Sequence, residues 1–209
     1  MKNIIDKDNI LYWGSYQILT GLAHGAAGIS YALYKLYLQK EDENVLKLIK
    51  KLINYENMYF NNYEQNWGDI TYEYNMNLDN TAIQWCHGAV GIGLARLKLN
   101  KIINVNEDIE KAKEITIKRG LYKENDSICH GNFGNLSFLI ELYKTSGDRV
   151  LKKIIYYRLV EIYENSTQLY KSGLSKDFES VDFMLGLSGM GYECLRLKTD
   201  LPVISLLEI

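Results

Sequence analysis

WCHGAVGIGLARL, residues 85–97, sets a cysteine and a histidine directly before a Gly-x-x-Gly and then continues as an almost wholly apolar helix. Paired glycines at a helix start let the backbone turn sharply and approach its neighbours closely. The arrangement returns at CHGNFG (129–134), ahead of NLSFLIELY. It also returns at AHGAAG (23–28), ahead of ISYALYKLYL, with alanine in the cysteine position. A fourth copy, GLSGMGYECLRL (186–197), is preceded by Leu185 where the others carry histidine. The glycine motifs start at Gly25, Gly88, Gly131 and Gly186, an internal repeat whose spacing suits one helix pair per unit with variable loops.

The second helix of each pair has a different character. In VLKLIKKLIN (45–54), Val45, Leu48, Ile49, Leu52 and Ile53 share one face, with lysines opposite. Asn106 reads as an N-cap, with Glu107 and Asp108 in the first turn, and Lys118, Arg119 and Gly120 close that helix. Asp148 reads as the cap of another helix, with an apolar face of Val150, Leu151, Ile154, Ile155, Leu159 and Ile162. Alternating apolar and amphipathic helices predict an all-α fold. It is a layered α/α array, the apolar helices lining the inside of a ring and the amphipathic ones its outer layer. The single proline, Pro202, lies in the C-terminal tail and leaves the rest of the chain open to helix. Residues 59–84, polar, aromatic and Asn-rich, break the pattern. They exceed the ~12–15 residues usual for a structureless connection, and a functional loop and short strands both fit.

At 209 residues the chain supports one well-buried domain, or two small ones at most. A formal net charge of −2 gives no general attraction to nucleic acid or anionic membrane. MKNIIDKDNILYW at the N-terminus lacks the apolar region of a signal peptide. No apolar run reaches the ~18 residues of a membrane-spanning helix, so the expectation is a cytoplasmic protein without a transmembrane segment. Three cysteines, an odd number, argue against a disulfide framework. Walker A, dinucleotide-binding, HExxH and paired-carboxylate motifs are all absent from the sequence.

Cys86, Cys129 and His130 each occupy the spot just before an apolar helix. In a radial arrangement those spots converge on one pole, where helix N-termini favour thiolates. Two thiolates and one imidazole form a zinc set that leaves the fourth tetrahedral position open, as catalytic zinc sites require. A lone cysteine is most simply a small buried hydrophobe, and Cys194 within YECLRL is read that way. His24, heading the first copy, faces the same pole without being an obvious ligand, a suitable place for a general acid or base. A helix-start histidine satisfied by backbone is its plainer reading. His87 is open between metal contact, orientation of a ligand and contact with substrate. The seventeen tyrosines read as packing with a hydroxyl at water, and the lysine-rich helix faces as solvated surface.

GLAHGAAGI (21–29), WCHGAVGIGLARL, ICHGNFGNL (128–136), LGLSGMGYECLRL (185–197) and the closing LPVISLLEI together resemble the lanthionine synthetase C-like cyclases. The similarity covers nearly the whole chain and points to the C-terminal part of the cyclase domain of class II, bifunctional lanthipeptide synthetases. It implies a partial (α/α) toroid over residues 1–209, read as a single domain. It implies one Zn2+ held by Cys86, Cys129 and His130, with His24 as the active-site histidine. The implied substrate is a lanthipeptide precursor peptide. Its cysteine thiolate adds to dehydroalanine or dehydrobutyrine to give (methyl)lanthionine thioether rings. In stand-alone cyclases a tyrosine commonly follows the first zinc cysteine; His87 is the class II form. A complete toroid of this family has more inner helices than four glycine motifs supply. The N-terminal half, with its active-site aspartate, and the dehydratase domain are missing from this sequence. The alternatives are one half of a split cyclase needing a partner chain, or a truncated, non-catalytic zinc- or peptide-binding remnant. A helical-barrel glycosidase or terpene cyclase would need acidic pairs or an aspartate-rich motif, and neither is found.

Overall fold

In the computed structural model the described residues are 4–70, 82–165, 170–175, 178–197 and 199. The closing LPVISLLEI and the middle of the 59–84 connection lie outside them. By its internal contacts the chain divides into two compact units, Met1–Ile115 and Thr116–Ile209.

The first unit opens with a small antiparallel sheet, β1 (Ile4–Lys7), β2 (Ile10–Trp13) and β3 (Tyr16–Gln17). Lys7 pairs with Ile10 across a two-residue turn, and Asp8 and Asn9 both have positive φ there. Such a turn matches the twist of the strands it joins. Leu11 of β2 is buried against Ile18, Ala26, Leu52 and Tyr55, which fixes the sheet to the helices. The all-α expectation is corrected here: the described residues are mostly helical, with this sheet added. The sheet was hidden by its brevity, since strands of two to four residues carry little periodicity.

Helix α1 (Ala26–Lys40) packs on both α2 (Glu43–Asn57) and α3 (Ala89–Leu99), and α3 packs on α4 (Asn106–Ile115). Every residue of α3 from Ala89 to Arg96 is buried, as a run apolar on all sides apart from Arg96 favours. By contrast α2 buries only the face carrying Val45, Ile49, Leu52 and Ile53. Its Asp42 cap accepts the Asn44 N–H at 2.8 Å. Between the helix pairs, β4 (Phe60–Asn61) and β5 (Asn66–Trp67) form a short hairpin. Strands therefore do occupy part of the 59–84 connection. Trp67 is fully buried, and its indole N–H donates to Asn57 at 2.9 Å.

In the second unit a π-helical turn, Thr116–Gly120, ends at the glycine at which the sequence predicts a helix end. Helix α5 (Asn132–Ser146), again buried on nearly all sides, packs on α6 (Arg149–Asn165) and α7 (Leu187–Arg196). Gly147, at φ +69°, stops α5, and Asp148 then accepts the N–H groups of Val150 and Leu151 to start α6. Leu151, Ile155 and Ile162 are buried as expected, but Val150 stands 66% exposed. Val150 lies about 100° around the helix from Leu151 and so falls outside the packed face. No helix among the described residues is long and apolar enough to cross a membrane.

Candidate functional site

Each glycine motif sits at the start of a helix: Gly25, Gly88, Gly131 and Gly186 are the N-caps of α1, α3, α5 and α7. A common hydrogen-bond pattern explains the residue choice. The chain doubles back so that the first helical N–H reaches a carbonyl seven residues earlier: Ala26 to Leu19, Asn132 to Asn125, Leu187 to Ser180. The second glycine repeats the step, Gly28 to Gly21, Gly91 to Gln84 and Gly134 to Ser127. The turn folds back so tightly that a side chain at Gly88 would strike the Ala82 carbonyl, and φ there is +79°. Glycine alone satisfies both conditions.

The turns are also joined in pairs within each unit. In the first, the Cys86 carbonyl accepts the N–H groups of Leu22 and Ala23, each at 3.1 Å. This brings His24 next to His87, with ring centroids 6.2 Å apart. His24 is exposed, while Cys86 and His87 are half-buried. The Cys86 thiol donates to Gln84 Oε1 at 3.5 Å. The His87 Nδ1 lies 3.9 Å from the Asp69 carboxylate and is buried, with no hydrogen-bond partner among the described residues.

Behind these turns lies a buried ionic network that the sequence reading missed. Glu56, fully buried near the end of α2, accepts the N–H groups of Gly21 at 2.9 Å and Ala27 at 3.1 Å. Its other oxygen accepts from Arg96 of α3 at 2.8 Å, and Arg96 reaches Asp108 of α4 at 2.9 Å. The carboxylate thereby holds both ends of the His24 turn at the positive end of α1. Burial pushes the Glu56 carboxyl up, opposed by the Arg96 charge and the two N–H donors. The cue in the sequence was Arg96 itself, a cation within the apolar run IGLARL, which cannot be buried without a partner. Asn66 of β5 plays the matching part for the second turn. Its side chain accepts the Ala89 N–H at 3.0 Å and donates to the Ala82 carbonyl at 3.0 Å.

In the second unit Cys129 donates its N–H to Met184 O at 2.9 Å, joining the third turn to the fourth. Cys129 and His130 are both half-buried. His130 Nε2 lies 3.2 Å from the Gly173 carbonyl. Arg196 of α7 forms a second buried network, bonded to Glu193, Glu141 and Ser137. Burial first, and then the Glu193 charge, push the half-buried Cys194 thiol up, which keeps it protonated and suits a packing role.

Among the described residues no three His, Cys, Asp or Glu side chains are gathered into a metal-holding group. Cys86 belongs to the first unit, and Cys129 and His130 to the second. Neither cysteine is in a disulfide. The donor types, two thiols and an imidazole whose Nε2 is engaged by a backbone carbonyl, fit the nitrogen and sulfur preference of zinc.

The family model described as Lanthionine synthetase C-like protein matches residues 1–206. The Lacticin 481/lactococcin biosynthesis protein LcnDR2 of Lactococcus lactis subsp. lactis is 30% identical over 197 residues, covering 85% of this chain and 20% of that protein. Glutathione S-transferase LANCL1 of Danio rerio is 30% identical over 151 residues, covering 69% of this chain and 35% of that one. The solved structure of Nisin cyclase superposes with a TM-score of 0.70 at 19% identity, over 88% of this chain and 47% of that one. The chain thus spans from a fifth to about half the length of these relatives.

Proposed function

Since the chain belongs to the lanthionine synthetase C-like family, we propose that it is the zinc-bearing C-terminal part of a lanthipeptide cyclase. The four glycine-capped helices would then be consecutive inner helices of an α/α toroid. The further inner helices of a complete ring would come from the rest of a longer chain or from a partner chain. The substrate in this reading is a precursor peptide bearing cysteine and dehydroamino acids. A reducing, cytoplasmic setting would keep the thiols of both partners available.

Cys86, Cys129 and His130 would hold Zn2+. When bound, the metal would offer an open position at which a substrate thiol is acidified to the thiolate at neutral pH. His24 supplies the proton that completes the addition. As sulfur bonds to the β-carbon and the carbon–carbon double bond opens, the α-carbon takes a proton from the exposed imidazole. Glu56 holds the turn that carries His24. Its grip on both ends of that turn limits the motion of the imidazole relative to the Cys86 turn. His87, half-buried between His24 and Asp69, would orient neighbouring groups or meet the substrate.

The observation that carries this reading is the joining of the Cys86 turn to the His24 turn through the Cys86 carbonyl. It sets a candidate proton donor next to a candidate ligand. Metal analysis of the purified chain beside Cys86→Ala and Cys129→Ala tests it. About one zinc per chain, lost in both variants, is expected for a three-ligand open site. A well-folded wild-type chain that takes up no zinc under metal-replete conditions would overturn the reading.

A further inference from the structure

His130 and Gly173 come from separate parts of the second unit, and their contact decides how the imidazole is presented. A carbonyl oxygen only accepts, so the 3.2 Å contact from His130 Nε2 to Gly173 O requires the proton on Nε2. A neutral imidazole carries one proton, which leaves Nδ1 with the lone pair. We infer that the Gly173 carbonyl locks His130 in the Nε2–H form, so that Nδ1 is the nitrogen presented to the metal. Gly173 is a positioning residue for this ligand, and the inference rests on the zinc reading above.

The carbonyl is well placed to act as a lock because its own peptide strand is fixed. Gly173 donates its N–H to Leu185 O at 2.8 Å. Two residues earlier, Lys171 exchanges bonds with Asp126: the Asp126 N–H donates to Lys171 O at 2.7 Å, and the Lys171 N–H to Asp126 Oδ2 at 3.0 Å. Asp126 and Leu185 flank the two turns that Cys129 and Met184 join, so the acceptor is anchored to the same backbone that carries the ligands. The strand also lies very close to its support. A Cβ at Gly173 would come within 2.8 Å of Ser127 Oγ and 2.9 Å of Leu185 Cδ2. Ser127 cannot withdraw freely, because its hydroxyl donates to Asn125 Oδ1 at 2.8 Å. Glycine at 173 therefore permits the approach that makes the hydrogen bond. A backbone acceptor on the second nitrogen is how metal-binding histidines are commonly oriented, and losing one typically costs 10- to 100-fold in metal affinity.

The direct test is long-range proton–nitrogen correlation NMR of the ring nitrogens in the 15N-labelled chain. It is recorded where the rings are neutral, without metal and with added Zn2+. The chain has three histidines, and His130→Ala identifies the relevant signals by their loss. The expected result is a protonated Nε2 in both states, with the Nδ1 resonance alone moving when zinc is added. A metal-free ring protonated at Nδ1, or zinc bound through Nε2, overturns the inference while leaving the zinc reading standing. No zinc uptake at all overturns both. Gly173→Ala, titrated against a zinc chelator, should lose about 10- to 100-fold in affinity, and unchanged affinity counts against the lock. Should that variant fail to fold, the wild-type ring resonances decide alone.

Discussion

The two cysteine-bearing turns are close copies in sequence and differ in how they are held. The Cys86 turn depends on distant parts of its unit. Asn66 from the β4–β5 hairpin bonds the first N–H of α3, where the other three copies use their own loop. Its cap, Gly88, takes φ +79°, whereas Gly25, Gly131 and Gly186 are extended. The Cys129 turn is built from its own loop and clasped by the 171–173 segment. The neighbouring histidines follow suit. His130 has its Nε2 committed to a fixed carbonyl, and His87 has a buried Nδ1 facing Asp69 at 3.9 Å without a hydrogen bond. One motif can thus hold a histidine ring against a fixed acceptor or leave it less constrained, according to what the surroundings offer its ring nitrogens.

The largest effect should come from the buried cations behind the turns. Arg96→Ala leaves Glu56 and Asp108 without their counter-ion, and breaking a buried pair costs about 3–5 kcal/mol. Chemical denaturation of Arg96→Ala and Arg196→Ala should show comparable losses, since Arg196 is equally buried between Glu193 and Glu141. A loss in only one of them would mean that the two networks are not equivalent supports. Asn66→Ala separates the turns more finely. It strands the Ala89 N–H and the Ala82 carbonyl, at about 1–3 kcal/mol for each buried group left unpaired. It should loosen the Cys86 turn while leaving the Cys129 turn intact, as hydrogen exchange of the N–H groups of α3 and α5 would report. The smallest effect concerns the fourth turn. Bonds from the Ser180 hydroxyl and the Leu185 N–H hold the Asp182 carboxyl below its ordinary value of 3.8. A depressed carboxylate stabilises the fold above its unfolded pKa, and the contribution is lost as pH falls through the folded pKa. Asp182→Asn should therefore flatten the acid side of the stability profile below about pH 4 and change little at neutrality. An unaltered acid limb would show that this turn is held by its backbone bonds alone.

The helices were legible because their chemistry is local. The apolar faces of α2 and α6, the Asp148 cap and the end at Gly120 follow from side-chain periodicity and terminal charge, which a short window of sequence contains. The four glycine N-caps were legible for a related reason, since a turn returning on itself within a few residues needs a residue without a side chain. What escaped was non-local. Glu56, Asn66 and Gly173 act on groups 16 to 43 residues away in sequence, and no motif marks them. The β1–β3 sheet escaped because strands of two to four residues carry almost no pattern, and Leu11 is placed by packing on both α1 and α2.

By itself, then, the sequence determined the helix-pair repeat, the glycine turns and the donor types set at their mouths, because each is a matter of neighbouring side chains and backbone freedom. Only the tertiary structure decided which carboxylate holds the His24 turn, and which carbonyl meets His130 Nε2. Those choices depend on burial. A charged or polar group removed from water must find a partner wherever the packing provides one, and the chain's order does not say where that will be.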